Sequence, residues 1–269
     1  MQRIGLWSMR FRGHPSLPDL EAAGWDTLWI PGLDGTGALD DVKHLLQAAP
    51  HSTVVTGVLN IWGQSPQELS KRIAELDADR LLVGLGVGNA AGAASSGQDY
   101  GNPIASMSRY LDQLEVPADR LLLGALGPKM VDLAVARTAG WHPFLVTPSY
   151  VARERARVGK GPLIAPHQAV VLESDPARAR AIARAEIGMF IGFPAYRNNL
   201  RRLGFTDQDL VPGGSDRLID ALVAHGGVAE IRDRVRAQLE AGADHVALHF
   251  LGANSFLPTH LSELTKENF

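Results

Sequence analysis

The sequence predicts a parallel (β/α)8 barrel, and three observations predict it. Short runs rich in Val, Ile and Leu alternate with longer amphipathic segments along the chain, and a strand–helix alternation is the pattern of a parallel sheet. Strand runs such as RLLVGLGV and RLLLGAL are apolar almost without interruption, as strands covered on both faces must be. The alternation repeats through eight strands within 269 residues, and a barrel built as one domain takes about 250. Eight units favour closure over an open doubly wound sheet. The expectation is a single domain over 1–269, with no internal repeat and no linker.

The elements follow in order. Strands are expected at 4–8 and 27–31, separated by a helix over 17–23 that Gly24 would end as its C-terminal cap. A helix over 40–48 opens on acidic residues, which suit the positive end of the helix dipole. The third strand runs 52–62, and the helix at 66–76 has Ser65 as N-cap and Pro66 in its first position. Strand four, 80–87, leads into a Gly/Ala/Ser-rich loop over 88–101 and a helix at 104–114. Strand five spans 120–126, followed by a helix at 128–138 with Gly140 as its stop. Strand six is expected at 144–147 with a helix at 150–158, strand seven at 168–173, and strand eight at 245–251 after a helix over 228–240. The helical stretch between 176 and 226 is too long for one barrel unit, so part of it reads as an insertion after strand seven.

Composition narrows the function classes. The chain has a net charge of −3 and no cysteine. A basic nucleic-acid or anionic-membrane surface is not indicated, and disulfides and thiolate metal sites are excluded. The opening MQRIGLWSMRFRGHP carries no signal-peptide pattern, and no apolar run approaches the length of a bilayer span. A cytoplasmic protein is the expectation. There is no HExxH, no CxxC pair and no clustered carboxylate set, so no metal site is expected; the absence of a GxSxG elbow argues against an α/β-hydrolase.

Barrels of this kind bind ligands at the C-terminal ends of their strands, so the strand ends carry the candidate chemistry. After strand five, Ala125, Leu126, Gly127, Pro128, Lys129 and Met130 form a tight turn into a helix. Its free N–H groups and dipole, with the lysine charge, suit an anion; a plain βα turn with a surface lysine fits equally well. Strand four ends Gly84–Leu85–Gly86–Val87–Gly88–Asn89. Its spaced glycines would let a flat ligand approach backbone, or would simply fit a crowded barrel interior. Asn60, near the end of VTGVLNIW, needs hydrogen-bond partners if buried. His249 lies late in strand eight, at the functional end; His245, His142 and His167 precede their strands and read as structural. Trp7, Ser8 and Glu173 are further polar or amphipathic residues at strand ends.

Taken together, GLWS, LWIPG, TGVLNIW, GLGVG, GALGPKM, FLVTP, LIAPHQAVVLESDPARARAIA, YRNNLRRLGFTDQDL, GGSDRLIDALVAHG and AGADHVALHFL span essentially the whole chain. The chain thereby resembles the luciferase-like monooxygenase superfamily, and more narrowly a group of coenzyme F420-dependent oxidoreductases of actinobacteria. The resemblance implies a cis peptide at Gly57–Val58, behind the central ring of a deazaflavin or flavin. It also implies a cofactor-binding set of Gly57, Val58, Asn60, Gly86, Val87, Gly88, Asn89 and the turn Ala125 to Met130, the last two loops holding the phosphate-bearing tail.

The same resemblance implies hydride transfer between F420 and a small organic substrate. Asp34, Asn60 and His249 are then the candidates for substrate polarisation or proton transfer, and a homodimer is the expected assembly. FMN-dependent monooxygenation and flavin binding without turnover are the alternatives. FMN shares the phosphate and ring recognition of F420, and the reading without turnover is motivated by a departure from the group: the loop after strand two reads Pro31–Gly32–Leu33–Asp34–Gly35, with an Asp and no His.

Overall fold

Among the residues described by the computed structural model, which are 3–9, 11, 17–32, 36–76, 78–252 and 263–266, the chain forms ten strands. The strand pairings within each of two compact units, residues 6–142 and residues 2–5 with 143–269, are parallel. This is the parallel α/β fold of the (β/α)8 class that the alternation predicts.

In the first unit the strands are β1 (Ile4–Trp7, of which the last two residues belong here), β2 (Thr27–Gly32), β3 (Thr53–Asn60), β4 (Leu81–Gly86), β5 (Leu121–Leu123) and β6 (Gly140–Trp141), lying side by side in chain order. Between them run α1 (Leu17–Ala22), α2 (Thr36–Ala48), α3 (Pro66–Ala74), α4 (Ala90–Ser95), α5 (Pro103–Leu111) and α6 (Pro128–Arg137). Helix starts follow capping chemistry. Ser65 accepts from the N–H of Glu68 at 3.2 Å, and Asn102 accepts from Ile104 and Ala105 at 3.0 and 3.1 Å; such caps contribute about 0.5–2 kcal/mol each. The loop expected over 88–101 holds α4, which Asn89 caps through Gly92 N–H at 2.9 Å. Core residues Trp25, Leu28, Trp29, Leu39 and Leu45 are at most 1% exposed.

Strand six differs from expectation. Residues 144–147 do not form a strand; the sixth strand is the two-residue β6, beginning at the Gly140 that reads in sequence as a helix stop. The reason lies at Leu145, whose φ of +52° is left-handed backbone incompatible with an extended ladder. Burial of its side chain to 2% exposure offsets that conformation.

The second unit contains α7 (Pro148–Val158), β7 (Leu163–Ile164), β8 (His167–Val171), α8 (Pro176–Ile187), α9 (Pro194–Arg202), α10 (Asp216–Leu222), β9 (Val223–His225), α11 (Val228–Glu240) and β10 (Val246–Phe250). Strand β8 lies between β10 and β9. The long helical stretch is therefore three helices with a 3-10 segment, Gly188–Gly192, and the short strand β9 closes it. Arginines tie this insertion together. Arg180 holds Asp220 with both arms at 2.8 and 2.6 Å, and it also reaches Asp216 at 2.9 Å, a carboxylate that Arg184 also binds. Beneath them Leu145, Ala169, Val171, Ile187, Ile191 and Leu218 belong to one apolar cluster.

Candidate functional site

The first unit gathers the residues expected to meet a cofactor. The bond Gly57–Val58 is cis, and the β3–β4 register slips between Val55 and Leu59. Two side chains bind backbone groups around the slip. Thr56 Oγ1 accepts from Gly84 N–H at 2.8 Å and donates to Gly84 O at 3.0 Å. Trp7 donates its indole N–H to Gly57 O at 3.0 Å. A side chain at Gly57 would start 2.9 Å from the Trp29 ring, so the residue must be glycine for steric reasons.

Val58 explains the glycines of the next two strands. A Cβ on Gly86 would sit 2.5 Å from Val58 Cγ2, one on Gly124 3.4 Å from it, and one on Gly84 2.0 Å from the Thr56 carbonyl oxygen. The missing Cβ atoms thus make room for the protein's own β3. The isopropyl group of Val58 stands on them half-buried, an apolar surface at the C-terminal end of the strands.

Asn60 is half-buried. Its Oδ1 accepts from the Trp62 N–H at 3.2 Å, and its amide nitrogen packs against Gly88 and Gly92. Trp62 donates its indole N–H to Val87 O at 2.8 Å, and Tyr100 donates to Gly88 O at 3.3 Å with its ring 6.0 Å from that of Trp62. Burial pushes the Tyr100 phenol above its ordinary value, so it stays a neutral donor. Val87, Gly88 and Asn89 are in this way bound into a loop by Trp62, Tyr100 and the α4 cap; Gly88 adopts φ +53°, a turn suited to glycine.

At the end of β5 the chain turns through buried Ala125, half-buried Leu126 and Gly127 into α6. Gly127 caps that helix with no side-chain acceptor; its carbonyl takes the N–H groups of Met130 and Val131, both at 3.1 Å. Pro128 and Lys129 are exposed and Met130 is buried. The helix start has neither a side-chain cap nor an acidic residue in its first turn. Asp34 lies outside the described residues.

The second unit contains a histidine pair that the sequence does not announce. His249, half-buried on β10, has its Nδ1 3.0 Å from Nε2 of His167, the first residue of β8, which is 0% exposed. Register places His249 opposite Ala169, so His167 reaches it along the diagonal on the same face. Phe144 stacks on the His167 ring at 3.7 Å, and Phe190, Phe193 and Tyr196 continue the cluster with centroid spacings of 5.2–6.4 Å. Among the described residues, the phenylalanines that are not buried are Phe144, Phe190 and Phe193, all in this group. His142, by contrast, stacks on Trp29 at 4.4 Å in the first unit, as a structural residue does.

Glu173 is also accounted for locally: it accepts from Asp175 N–H at 2.8 Å and from Arg178, whose guanidinium holds its carboxyl below the usual range. No group of three or more metal-ligating side chains occurs among the described residues, and no helix among them is long and apolar enough to cross a membrane.

Neither a scan of family models nor a search of curated proteins returns a match. Solved structures do match over nearly the whole chain. A coenzyme F420-dependent tetrahydromethanopterin reductase from Methanopyrus kandleri superposes with a TM-score of 0.74 at 15% identity, covering 99% of this chain and 98% of that one. An F420-dependent secondary alcohol dehydrogenase, in complex with an F420–acetone adduct, gives 0.70 at 15% identity, covering 98% of each chain. The oxygenating constituent of 3,6-diketocamphane monooxygenase from Pseudomonas putida, in complex with FMN, gives 0.69 at 12% identity, covering 99% and 98%. At these identities the likeness establishes the fold alone, a parallel β/α barrel.

Proposed function

We propose that the chain is an oxidoreductase that binds coenzyme F420 and passes a hydride between it and a small organic substrate. The observation that carries this reading is Val58, a half-buried apolar surface seated on Gly86 and Gly124. A planar ring system can lie flat on such a surface. In the same unit, α6 starts at Gly127 without a side-chain cap, beside exposed Lys129, which suits the anionic tail that F420 and FMN share. Residues of one unit thus support a deazaflavin or flavin at both the ring and the tail.

A bound deazaflavin supplies the two-electron hydride chemistry. The residues of the chain do the rest. Val58 with Gly86 and Gly124 would orient the ring; Gly127, Pro128, Lys129 and Met130, together with Gly88 and Asn89, would hold the tail. Val87 and Asn60 keep the intervening loop in place through Trp62. Asp34, Asn60 and His249 remain candidates for substrate polarisation or proton transfer. A homodimer belongs to the same reading, with sedimentation as its measurement.

FMN-dependent monooxygenation is the second reading, and the FMN-bound monooxygenase of the same fold favours it. Titration of the protein with F420 and with FMN separates the two, followed by hydride-transfer assays with F420H2 and oxygen-uptake assays with reduced FMN. Lys129→Ala should weaken cofactor binding about two- to fivefold, the worth of one exposed charge at a helix start. Gly127→Val should weaken it more. Its φ of −88° and ψ of 150° suit any residue, so the variant should fold. A folded Gly127→Val that binds F420 and FMN like the wild type would remove the anion site and with it the support for this reading.

A further inference from the structure

We infer that Trp62 and Tyr100 are positioning residues for a phosphate group: they hold the carbonyls of Val87 and Gly88, so that the loop offers its N–H groups to the anion. This rests on the hydride-transfer reading for the source of the phosphate, the tail of F420 or FMN, but the donor arrangement of the loop does not.

The residues Val87, Gly88 and Asn89 join β4 to α4 within the first unit. Their acceptors are all engaged by the protein. Val87 O accepts from the Trp62 indole N–H at 2.8 Å, Gly88 O from the Tyr100 hydroxyl at 3.3 Å, and Asn89 O from the Ala93 N–H at 3.1 Å. The fourth acceptor, Asn89 Oδ1, takes the Gly92 N–H at 2.9 Å. The donors show the opposite. The N–H groups of Val87, Gly88 and Asn89, and the side-chain amide nitrogen of Asn89, make no hydrogen bond among the described residues. Gly88 is exposed, and Val87 and Asn89 are half-buried. A loop with its oxygens engaged and its N–H groups open is complementary to a ligand that carries acceptors alone, as a phosphate does.

Trp62 and Tyr100 act through the peptide planes. In a trans peptide the carbonyl of one residue and the N–H of the next point to opposite sides. Tying Val87 O to Trp62 therefore aims the N–H of Gly88 away from Trp62, and tying Gly88 O to Tyr100 does the same for Asn89. Both anchors are themselves held. The Trp62 backbone N–H donates to Asn60 Oδ1 at 3.2 Å, its carbonyl accepts from Gln98 Nε2 at 3.4 Å, and its ring is buried 6.0 Å from that of Tyr100. Gly88 rests on the same support: a Cβ there would stand 2.8 Å from Asn60 Nδ2, and its φ of +53° gives the loop its turn.

The test compares the wild type with Trp62→Phe and Tyr100→Phe, using unfolding midpoints to confirm the fold. Affinities for FMN and riboflavin are measured in each, because the two ligands differ by the phosphate alone. Trp62→Phe should weaken FMN binding about three- to tenfold, the range to which the net worth of one hydrogen bond converts. Riboflavin binding should stay at the wild-type value, and F420 should follow FMN. Tyr100→Phe, which loses a longer bond, should act the same way to a smaller extent. In proton–nitrogen correlation spectra of the isotope-labelled protein, inorganic phosphate should move the Gly88 and Asn89 amide signals of the wild type. The Gly88 signal should respond less in Trp62→Phe, and the Asn89 signal less in Tyr100→Phe.

Equal losses for FMN and riboflavin would make Trp62 a general support of the fold and overturn the inference. So would an unchanged FMN affinity in folded Trp62→Phe, or Gly88 and Asn89 signals that ignore phosphate in the wild type. If Trp62→Phe does not fold, Tyr100→Phe decides. Failure of F420 and FMN to bind the wild type would count against the hydride-transfer reading, and the phosphate titration, which needs neither cofactor, would then decide the inference.

Discussion

The hydroxyl of Thr56 stands in for backbone opposite Gly84. It accepts from the N–H at 2.8 Å and donates to the carbonyl at 3.0 Å, at the place where the β3–β4 register slips. Thr56 is 0% exposed, so no water can take over. Replacing it by valine keeps shape and removes both bonds, leaving Gly84 N–H and C=O without that partner. The expected loss is about 1–3 kcal/mol for each buried group left unsatisfied. Thr56→Ser keeps the hydroxyl and should retain most of the stability. Urea unfolding of both variants checks this; equal midpoints for Thr56→Val and wild type would contradict it.

Gly86 and Val58 should behave as a coupled pair. Gly86→Ala places a methyl 2.5 Å from Val58 Cγ2, an overpacking that costs about 1–3 kcal/mol. Val58→Ala removes the offending methyl. The double variant should therefore be more stable than the sum of the singles implies, with a coupling of about 0.5–3 kcal/mol. Additive losses would mean that the strands part freely at this point.

Asp209 makes the segment 206–217 acid-sensitive. It accepts from the Thr206 N–H at 2.9 Å, from Ser215 at 2.9 Å and from Arg217 at 2.6 Å, and these partners, the Thr206 N–H foremost, hold its carboxyl below the usual range. A carboxyl depressed in the folded state contributes stability above its unfolded value of about 3.9. That contribution fades as pH falls through the lower folded value. Asp209→Asn should thus be less stable than wild type near neutrality, and the difference should close in acid. Unfolding midpoints across pH 2–7, about the span that brackets a carboxylate, give the answer; a constant difference would show that the charge is not what matters.

Under the hydride-transfer reading, His249→Leu should lower kcat by about 10²–10³, the usual worth of one preorganised donor to a developing oxyanion. Cofactor Kd is measured alongside as the control, with the wild-type value expected because His249 is not among the proposed cofactor residues. Equal kcat in the folded variant would take His249 out of the reaction.

What the sequence by itself determined was the alternation of elements and the identity of most strands, because buried parallel strands are apolar on both faces and announce themselves without context. The helix start at Ser65 follows from local chemistry in the same way, since a cap needs only its own first turn. The turn around Gly127 is legible for the same reason. Tertiary structure alone decided the rest. Residues 144–147 look like a strand, but the backbone at Leu145 turns left-handed to bury that side chain and to lay Phe144 on His167. The glycines Gly84 and Gly86 suggest ligand approach in sequence, yet the atoms they admit are those of Val58 and Thr56 on the paired strand β3, 28 residues earlier in the chain. His167 reads as a residue ahead of its strand; only the β8–β10 register, set across 82 residues of chain, brings its ring to His249. Periodicity and capping are properties of a few neighbouring residues, whereas a close approach or a shared proton depends on which distant backbone the fold lays alongside.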